Sequence, residues 1–227
     1  MKVIHGKTYL TEIPHEKGNL AFQHPSFRGT YGSLAQQIDA GGLQRPTSAQ
    51  TASLGYDALQ NPKREYEAGI LKILKDSWLV EFNGNLYLPK HDGEEVHNGV
   101  IVEANPTIKD GRLVMGRKAL TERLKKNDPN VKFVPFGYTI GEQSTHTLAR
   151  NPYIIARYGE EGADKIADLA SKYKDNPKVW SFESVDSETA RMSALDVNYW
   201  GFDSGLLVSG DYWDGDDDGG RAFGVKK

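Results

Sequence analysis

Six large apolar residues, Trp200, Phe202, Leu206, Leu207, Val208 and Trp213, stand in a C-terminal stretch that is otherwise small and polar. Of the 24 residues 198–221, 17 are Asn, Asp, Ser, Gly or Tyr. The stretch reads as variable polar positions set on a fixed apolar frame, and such variation needs rigidity beneath it. Trp200, Phe202, Leu207 and Trp213 are its anchors, each worth roughly 1.5–3 kcal/mol on burial. Side chains pointing outward between these anchors can change at little cost, because exposed substitutions stay within about 0.5 kcal/mol.

The polar residues of the stretch are biased in a way that folding does not require. Residues 198–221 include six aspartates and no glutamate, and they lack Lys, Gln and Met. A selected acidic surface would mix Asp with Glu. Asn, Asp, Ser, Gly, Tyr, His, Ala and Thr are instead what arises when adenines of an AAC or AAT codon are replaced. Changes at the first two positions of such a codon cannot reach Lys, Glu, Gln, Met, Trp or a stop. The run Trp200-Gly201-Phe202-Asp203-Ser204-Gly205, the Tyr/Asp/Gly/Ser-rich residues 209–218 and the terminal Gly219-Gly220-Arg221-Ala222-Phe223-Gly224-Val225 resemble the C-terminal variable regions of diversity-generating retroelement target proteins. The chain is most similar to the archaeal, nanoarchaeal-type variable proteins.

That resemblance implies an α+β chain of C-type lectin-like fold. It also implies one domain over residues 1–227, with residues 198–221 as its variable ligand-binding region. The implied readout is Asn198, Tyr199, Asp203, Ser204, Ser209, Asp211, Tyr212, Asp214, Asp216, Asp217 and Asp218, on a scaffold of Trp200, Phe202, Leu207, Trp213 and Arg221. In that fold the two terminal strands pair, so Val3 and Ile4 should neighbour residues 222–225. The implied partner is a protein or surface ligand, bound without catalysis and without a cofactor, and the implied setting is a cell or virion surface. The ligand's identity and the oligomeric state are left open. The chain has no cysteine, which excludes disulfides and thiolate metal sites. It also excludes the cysteine-dependent oxidase chemistry of formylglycine-generating enzymes, relatives of the same fold.

Composition bounds the remaining choices. A hydrophobic fraction of 38% and a charged fraction of 26% fit a folded soluble chain. A net charge of -3 gives no general attraction to nucleic acid, and Lys125-Lys126 and Lys226-Lys227 are too small a footprint. No apolar run approaches a membrane span, and residues 1–7 contain no signal-peptide core.

Elements alternate along the chain without a repeat. Residues 2–13 read as an edge strand or strand pair closed by Pro14. A helix through Leu34, Ala35 and Ile38 should end at Gly41-Gly42, and Gly29-Thr30-Tyr31-Gly32-Ser33 suits its start better than a phosphate loop. Thr47-Ser48-Ala49-Gln50 is a capping-box pattern opening a helix with Ala49, Ala52, Tyr56 and Leu59 on one face. A second helix aligns Tyr66, Ile70, Ile73, Leu74 and Ser77. Asn83-Gly84 between two apolar runs predicts a type I′ hairpin. Further strands are expected over 96–103, 112–115 (pairing locally after an Asp110-Gly111 turn), 131–136, 179–182, 206–208 and 222–225, and further helices over 117–126 and through Ala163, Ile166, Leu169, Ala170 and Tyr173. Residues 153–158 fit either type.

Two rival chemistries can be read from the residues. Asp214-Gly215-Asp216-Asp217-Asp218-Gly219 begins like an EF-hand loop, but its twelfth position is Val225 rather than Glu, and no helix-forming sequence follows. A looser calcium-dependent carbohydrate-binding site built on these aspartates is the first rival. A small enzyme centred on His91, Asp92, His97 and Glu142 is the second. Ser144-Thr145-His146 makes no triad by adjacency, and nothing resembles a nucleophile elbow, so hydrolysis is not expected.

Overall fold

A computed structural model of the chain describes residues 2–4, 9–91, 93–197, 205–212 and 219–226. These residues form mixed α and β structure, 34% helical and 32% strand. The N-terminal part is a three-stranded antiparallel sheet of β1 (Lys2–Ile4), β2 (Tyr9–His15) and β3 (Gly18–His24). Pro14 does not end β2. It lies opposite Asn19 near the hairpin end, where a missing N–H costs least. A short β4 (Phe27–Arg28) leads into α1 (Tyr31–Ala40), whose Thr30 side chain accepts from the Ser33 amide as the N-cap.

The capping box at Thr47 is present. Its hydroxyl accepts from the Gln50 amide, and Gln50 accepts from the Thr47 amide, opening α2 (Ser48–Gln60). The buried face of α2 is made mainly of small residues, among them Ala52, Ser53, Gly55 and Ala58, rather than the expected Tyr56 and Leu59. This lets α6 (Pro152–Ala170) approach closely, with room for Leu169 over Gly55. Next comes α3 (Glu65–Asp76), which buries Ile70 and Leu74.

The central strand overturns the hairpin expectation. β5 (Leu79–Leu88) runs straight through Asn83-Gly84 as a single strand with all ten residues buried. One edge pairs along its length with β12 (Thr189–Asp196); the other pairs with β6 (Gly99–Ala104) and, at Leu79, with β14 (Arg221–Ala222). Turn propensity is a local preference, and here tertiary partners outweigh it. Asn83 Oδ1 accepts from the Ser48 amide at 2.8 Å, while Asn85 Nδ2 donates to Ser193 Oγ at 2.9 Å. Gly84 is fixed by crowding, since a Cβ there would lie 2.6 Å from Met115 Sδ.

The Asp110-Gly111 turn does form, joining β7 (Thr107–Lys109) to β8 (Arg112–Val114) with φ of 51° and 74° at the two turn residues. After α4 (Arg117–Lys125), β9 (Val131–Pro135) pairs with β6. β10 (Gly141–Glu142) precedes the short α5 (Thr145–Arg150) and then α6, so residues 153–158 are helical. β11 (Lys178–Trp180) and β13 (Leu207–Tyr212) complete the large sheet, in which the order β10-β11-β13-β12-β5-β14-β4 is extended by β6 and β9. The side chains of β5 are shared among three cores, the smallest of which joins Leu86 and Leu88 to Ile101, Leu120 and Val131. Leu79 and Tyr87 face the cluster of α2, α3 and α6, whereas Val80 and Phe82 pack with Tyr31, Leu34 and Ile38 of α1.

The C-terminal residues return to the N-terminal part, but not to the strand expected. Ala222 pairs with Phe27 of β4, and Val225 bridges Phe22 and Gln44. β1 pairs with β2 instead. The reason is that β2 and β3 form a seven-pair hairpin whose far edge, at Phe22 and Gln23, faces the chain end.

His24 seals this junction. It packs 4.9 Å from the Phe223 ring, shares a 2.9 Å hydrogen bond with Thr11 Oγ1, and burial lowers its pKa from 6.5 to about 4. The unfolded chain therefore takes up this proton first. The contribution is fully present above pH 6.5 and is lost as pH falls towards about 4. The full change is on the order of 3–4 kcal/mol, at about 1.4 kcal/mol per pKa unit. His24→Gln should flatten the stability profile across this window relative to the parent chain, read as denaturant midpoints at pH 7, 5.5 and 4.5. Parallel profiles would show that His24 titrates alike in the folded and unfolded chain.

Candidate ligand-binding face and its frame

The stretch expected to bind ligand hangs on β13. This strand lies between β11 and β12, parallel to the first and antiparallel to the second, so both its edges are paired and Leu207 and Val208 are buried. Leu207 was expected to be buried, and it is. Arg221 pairs with Arg28 and, through its amide, donates to the Trp78 carbonyl at 2.8 Å. Asn198, Tyr199, Trp200, Phe202, Asp203 and Ser204 lie outside the described residues, as do Trp213, Asp214, Asp216, Asp217 and Asp218. The fixed points on either side of them are clear. The Val197 amide donates to the Leu74 carbonyl at 2.8 Å, and the Gly220 carbonyl accepts from Gly29 at 3.1 Å.

Two of the expected readout positions are corrected. Ser209 is 1% exposed and Tyr212 is 7% exposed. Ser209 sits in an interior strand, where its hydroxyl donates to Asp211 Oδ1 at 3.0 Å. Tyr212 packs its ring 5.1 Å from Trp78 and joins the core under α1. Neither side chain is an outward-facing contact. Asp211, half-buried between them, is the described readout position that retains access to solvent.

Glycines of the stretch also have structural causes. A Cβ on Gly210 would lie 1.6 Å from Tyr153 Oη, one on Gly205 would lie 2.5 Å from the Asn176 carbonyl, and one on Gly220 would lie 2.8 Å from the Gly29 carbonyl. These three are required by close approach, whatever codons encode them.

Beneath β13 runs a polar brace for which sequence spacing gave one clue, the alternation of Glu81, Asn83, Asn85 and Tyr87 along β5. Arg157 donates from Nη1 to the Ser209 carbonyl at 2.9 Å and from Nη2 to Glu81 Oε2, a fully buried ion pair. Ser48 Oγ and Tyr158 Oη also donate to Glu81 Oε2, at 3.0 and 2.9 Å. Burial pushes the Glu81 carboxyl up, against the pull of Arg157 and the hydrogen bonds from Tyr158, Arg157 and Ser48. Tyr87 Oη donates to the Gly210 carbonyl at 2.8 Å, and Tyr153 Oη donates to Asn85 Oδ1 at 2.9 Å. Burial raises both phenols, so they act as neutral donors. Each carbonyl of the Ser209-Gly210 pair is thereby tied to the core by a side chain from another element.

The residues of the enzyme alternative are not brought together. His91 and His97 share the β5–β6 loop, where the His91 amide donates to His97 Nδ1 at 3.3 Å. Glu142 is in β10, which β11, β13 and β12 separate from β5, and it accepts from Asn176 at 3.1 Å. Asp92 lies outside the described residues. Ser144 is the N-cap of α5, accepting from the Thr147 amide at 3.1 Å. Among the described residues no group of three or more His, Cys, Asp or Glu could hold a metal ion, and no helix is long and apolar enough to cross a membrane. No family model, curated protein or solved structure matches the chain.

Proposed function

We propose that this chain is a ligand-binding protein of C-type lectin-like fold, diversified by a retroelement. It presents residues of the 198–221 stretch to a macromolecular or surface ligand, and that face binds without chemistry. The observation that carries the reading is the Asp-without-Glu bias. Setting aside Ser209, Tyr212 and the glycines that packing requires strengthens it. The remaining readout, Asn198, Tyr199, Asp203, Ser204, Asp211, Asp214 and residues 216–218, consists only of Asn, Tyr, Asp and Ser. All four are reachable from AAC or AAT by changes at adenine. The architecture supports the reading in two ways. The return of residues 221–225 to β3 and β4 closes the stretch against the N-terminal part. The brace under Ser209-Gly210 supplies the rigid floor that tolerance of variation needs.

Sequencing the locus tests this without purifying the protein. A repeat nearly identical to the codons of 198–221, differing at adenines and lying beside a reverse transcriptase gene, is the expected result. Absence of such a repeat would remove the main support for the proposal.

A further inference from the structure

A second cluster of reactive groups lies away from β13, where the β2–β3 turn crosses α2 and α6. Ser53 is on α2, His15 closes β2, and Lys165 is on α6. Ser53 Oγ lies 2.9 Å from His15 Nδ1, and Lys165 Nζ donates to the same Oγ at 3.0 Å. His15 Nε2 is 3.8 Å from Glu16 Oε1. That carboxylate favours the tautomer with its proton on Nε2, which leaves Nδ1 free to accept from the Ser53 hydroxyl. The competing acceptor, the Ala49 carbonyl, is farther at 3.3 Å. Burial, its largest influence, lowers the His15 pKa, so the imidazole is a neutral base near pH 7.

These groups open on a pocket of about 190 Å³ walled by Ala49, Tyr158 and residues 159–162. Gly159, at φ 71° and ψ 170°, breaks α6 here in a conformation that is almost confined to glycine. A second cleft of about 480 Å³, lined in part by Gln50, Asn130 and Lys132, shares His15, Tyr158 and Gly159 with the first. The space is sized for a small molecule, and its walls are about equally polar and apolar.

We infer that Ser53 is a nucleophile for acyl transfer from small carboxylic esters, with His15 as general base, Glu16 orienting it electrostatically, and Lys165, itself paired with Glu161 at 2.6 Å, donating to the attacking Ser53 oxygen. In the first step Ser53 Oγ bonds to the ester carbonyl carbon while its proton passes to His15 Nδ1. The tetrahedral intermediate then collapses, the bond to the leaving alkoxide breaks, and that alkoxide takes the proton from His15. Water repeats the sequence on the acyl-serine, releasing the carboxylic acid and restoring Ser53. This site is independent of the variable face, and its failure would leave the ligand-binding proposal untouched.

The test uses the full chain with a fluorophosphonate label and p-nitrophenyl acetate. One label per chain, mapped to Ser53 by mass spectrometry and absent in Ser53→Ala, is the expected result, with ester turnover reduced to background in that variant. His15→Gln should slow labelling by about 100-fold, the lower end of what a general base contributes. Circular dichroism checks that each variant is folded. If Ser53→Ala does not fold, Ser53→Cys decides the matter. The chain has no cysteine of its own, so iodoacetamide reports on position 53 alone. Alkylation at least tenfold faster than in Ser53→Cys/His15→Gln supports an activated position. Equal alkylation in the two, or no labelling of the parent chain, would overturn the inference and leave the cluster as a tie between β2, α2 and α6.

Discussion

Replacing Arg157 with leucine should destabilise the chain by about 3–5 kcal/mol, the cost of leaving one member of a buried ion pair behind. Arg157 and Glu81 side chains are both 0% exposed, so the stranded carboxylate would have no access to water. The same change removes the donor to the Ser209 carbonyl and two ring contacts, at 5.5 Å to Tyr153 and 5.1 Å to Tyr158. Glu81→Leu alone should cost a similar amount, because the guanidinium would then be buried unpaired. The double replacement should cost clearly less than the two singles added together, since neither charge remains. Urea denaturation of the four proteins measures this coupling. If the single changes each cost under about 1 kcal/mol, or if they add, the pair is not a brace, and the rigid floor ascribed to β13 loses its main support.

This brace also shows what the sequence could and could not reveal. Local signals that involve only a few neighbouring residues were legible. The capping box at Thr47, the α1 start at Thr30 and the Asp110-Gly111 turn all form, because their partners lie within three residues. Asn83-Gly84 misleads because its side chains are claimed from far along the chain, Asn83 by Ser48 and Asn85 by Ser193 and Tyr153. β12 went unread for a related reason. Thr-Ala-Arg-Met-Ser-Ala-Leu-Asp has no clean alternation, because both its faces are covered and a bulge near Met192 shifts its register. The resemblance implied that the C-terminus meets β1, and it meets β3 and β4 instead, since edge availability is a property of the folded sheet. Within the candidate site, the burial of Leu207 was legible from its apolar side chain. Ser209 and Tyr212 were misread because their residue types match the variable vocabulary, and only their neighbours distinguish the two uses.

The division between frame and readout can therefore be tested within one strand, using neighbours that composition treats alike. Gly210→Ala should cost at least about 3 kcal/mol. Overpacking alone costs about 1–3 kcal/mol, and the added methyl would also displace Tyr153 and Tyr87, whose hydroxyls lie 1.6 and 3.0 Å from the Cβ position. Moving them breaks the Tyr87 bond to the Gly210 carbonyl and the Tyr153 bond to Asn85. Tyr212→Ala should cost about 3–5 kcal/mol, as large aromatic truncations do, because its ring fills the core beside Trp78. Asp211→Asn keeps an oxygen for the Ser209 hydroxyl and changes a half-buried side chain, so it should stay within about 0.5 kcal/mol. Thermal and denaturant midpoints of the three variants read this directly. If Asp211→Asn destabilises as much as Gly210→Ala, position 211 belongs to the frame. The surface left for recognition would then lie wholly in residues 198–204 and 213–218. If Gly210→Ala is neutral, the close approach of Tyr153 does not constrain that position, and Gly210 returns to the set that codon variation can explore.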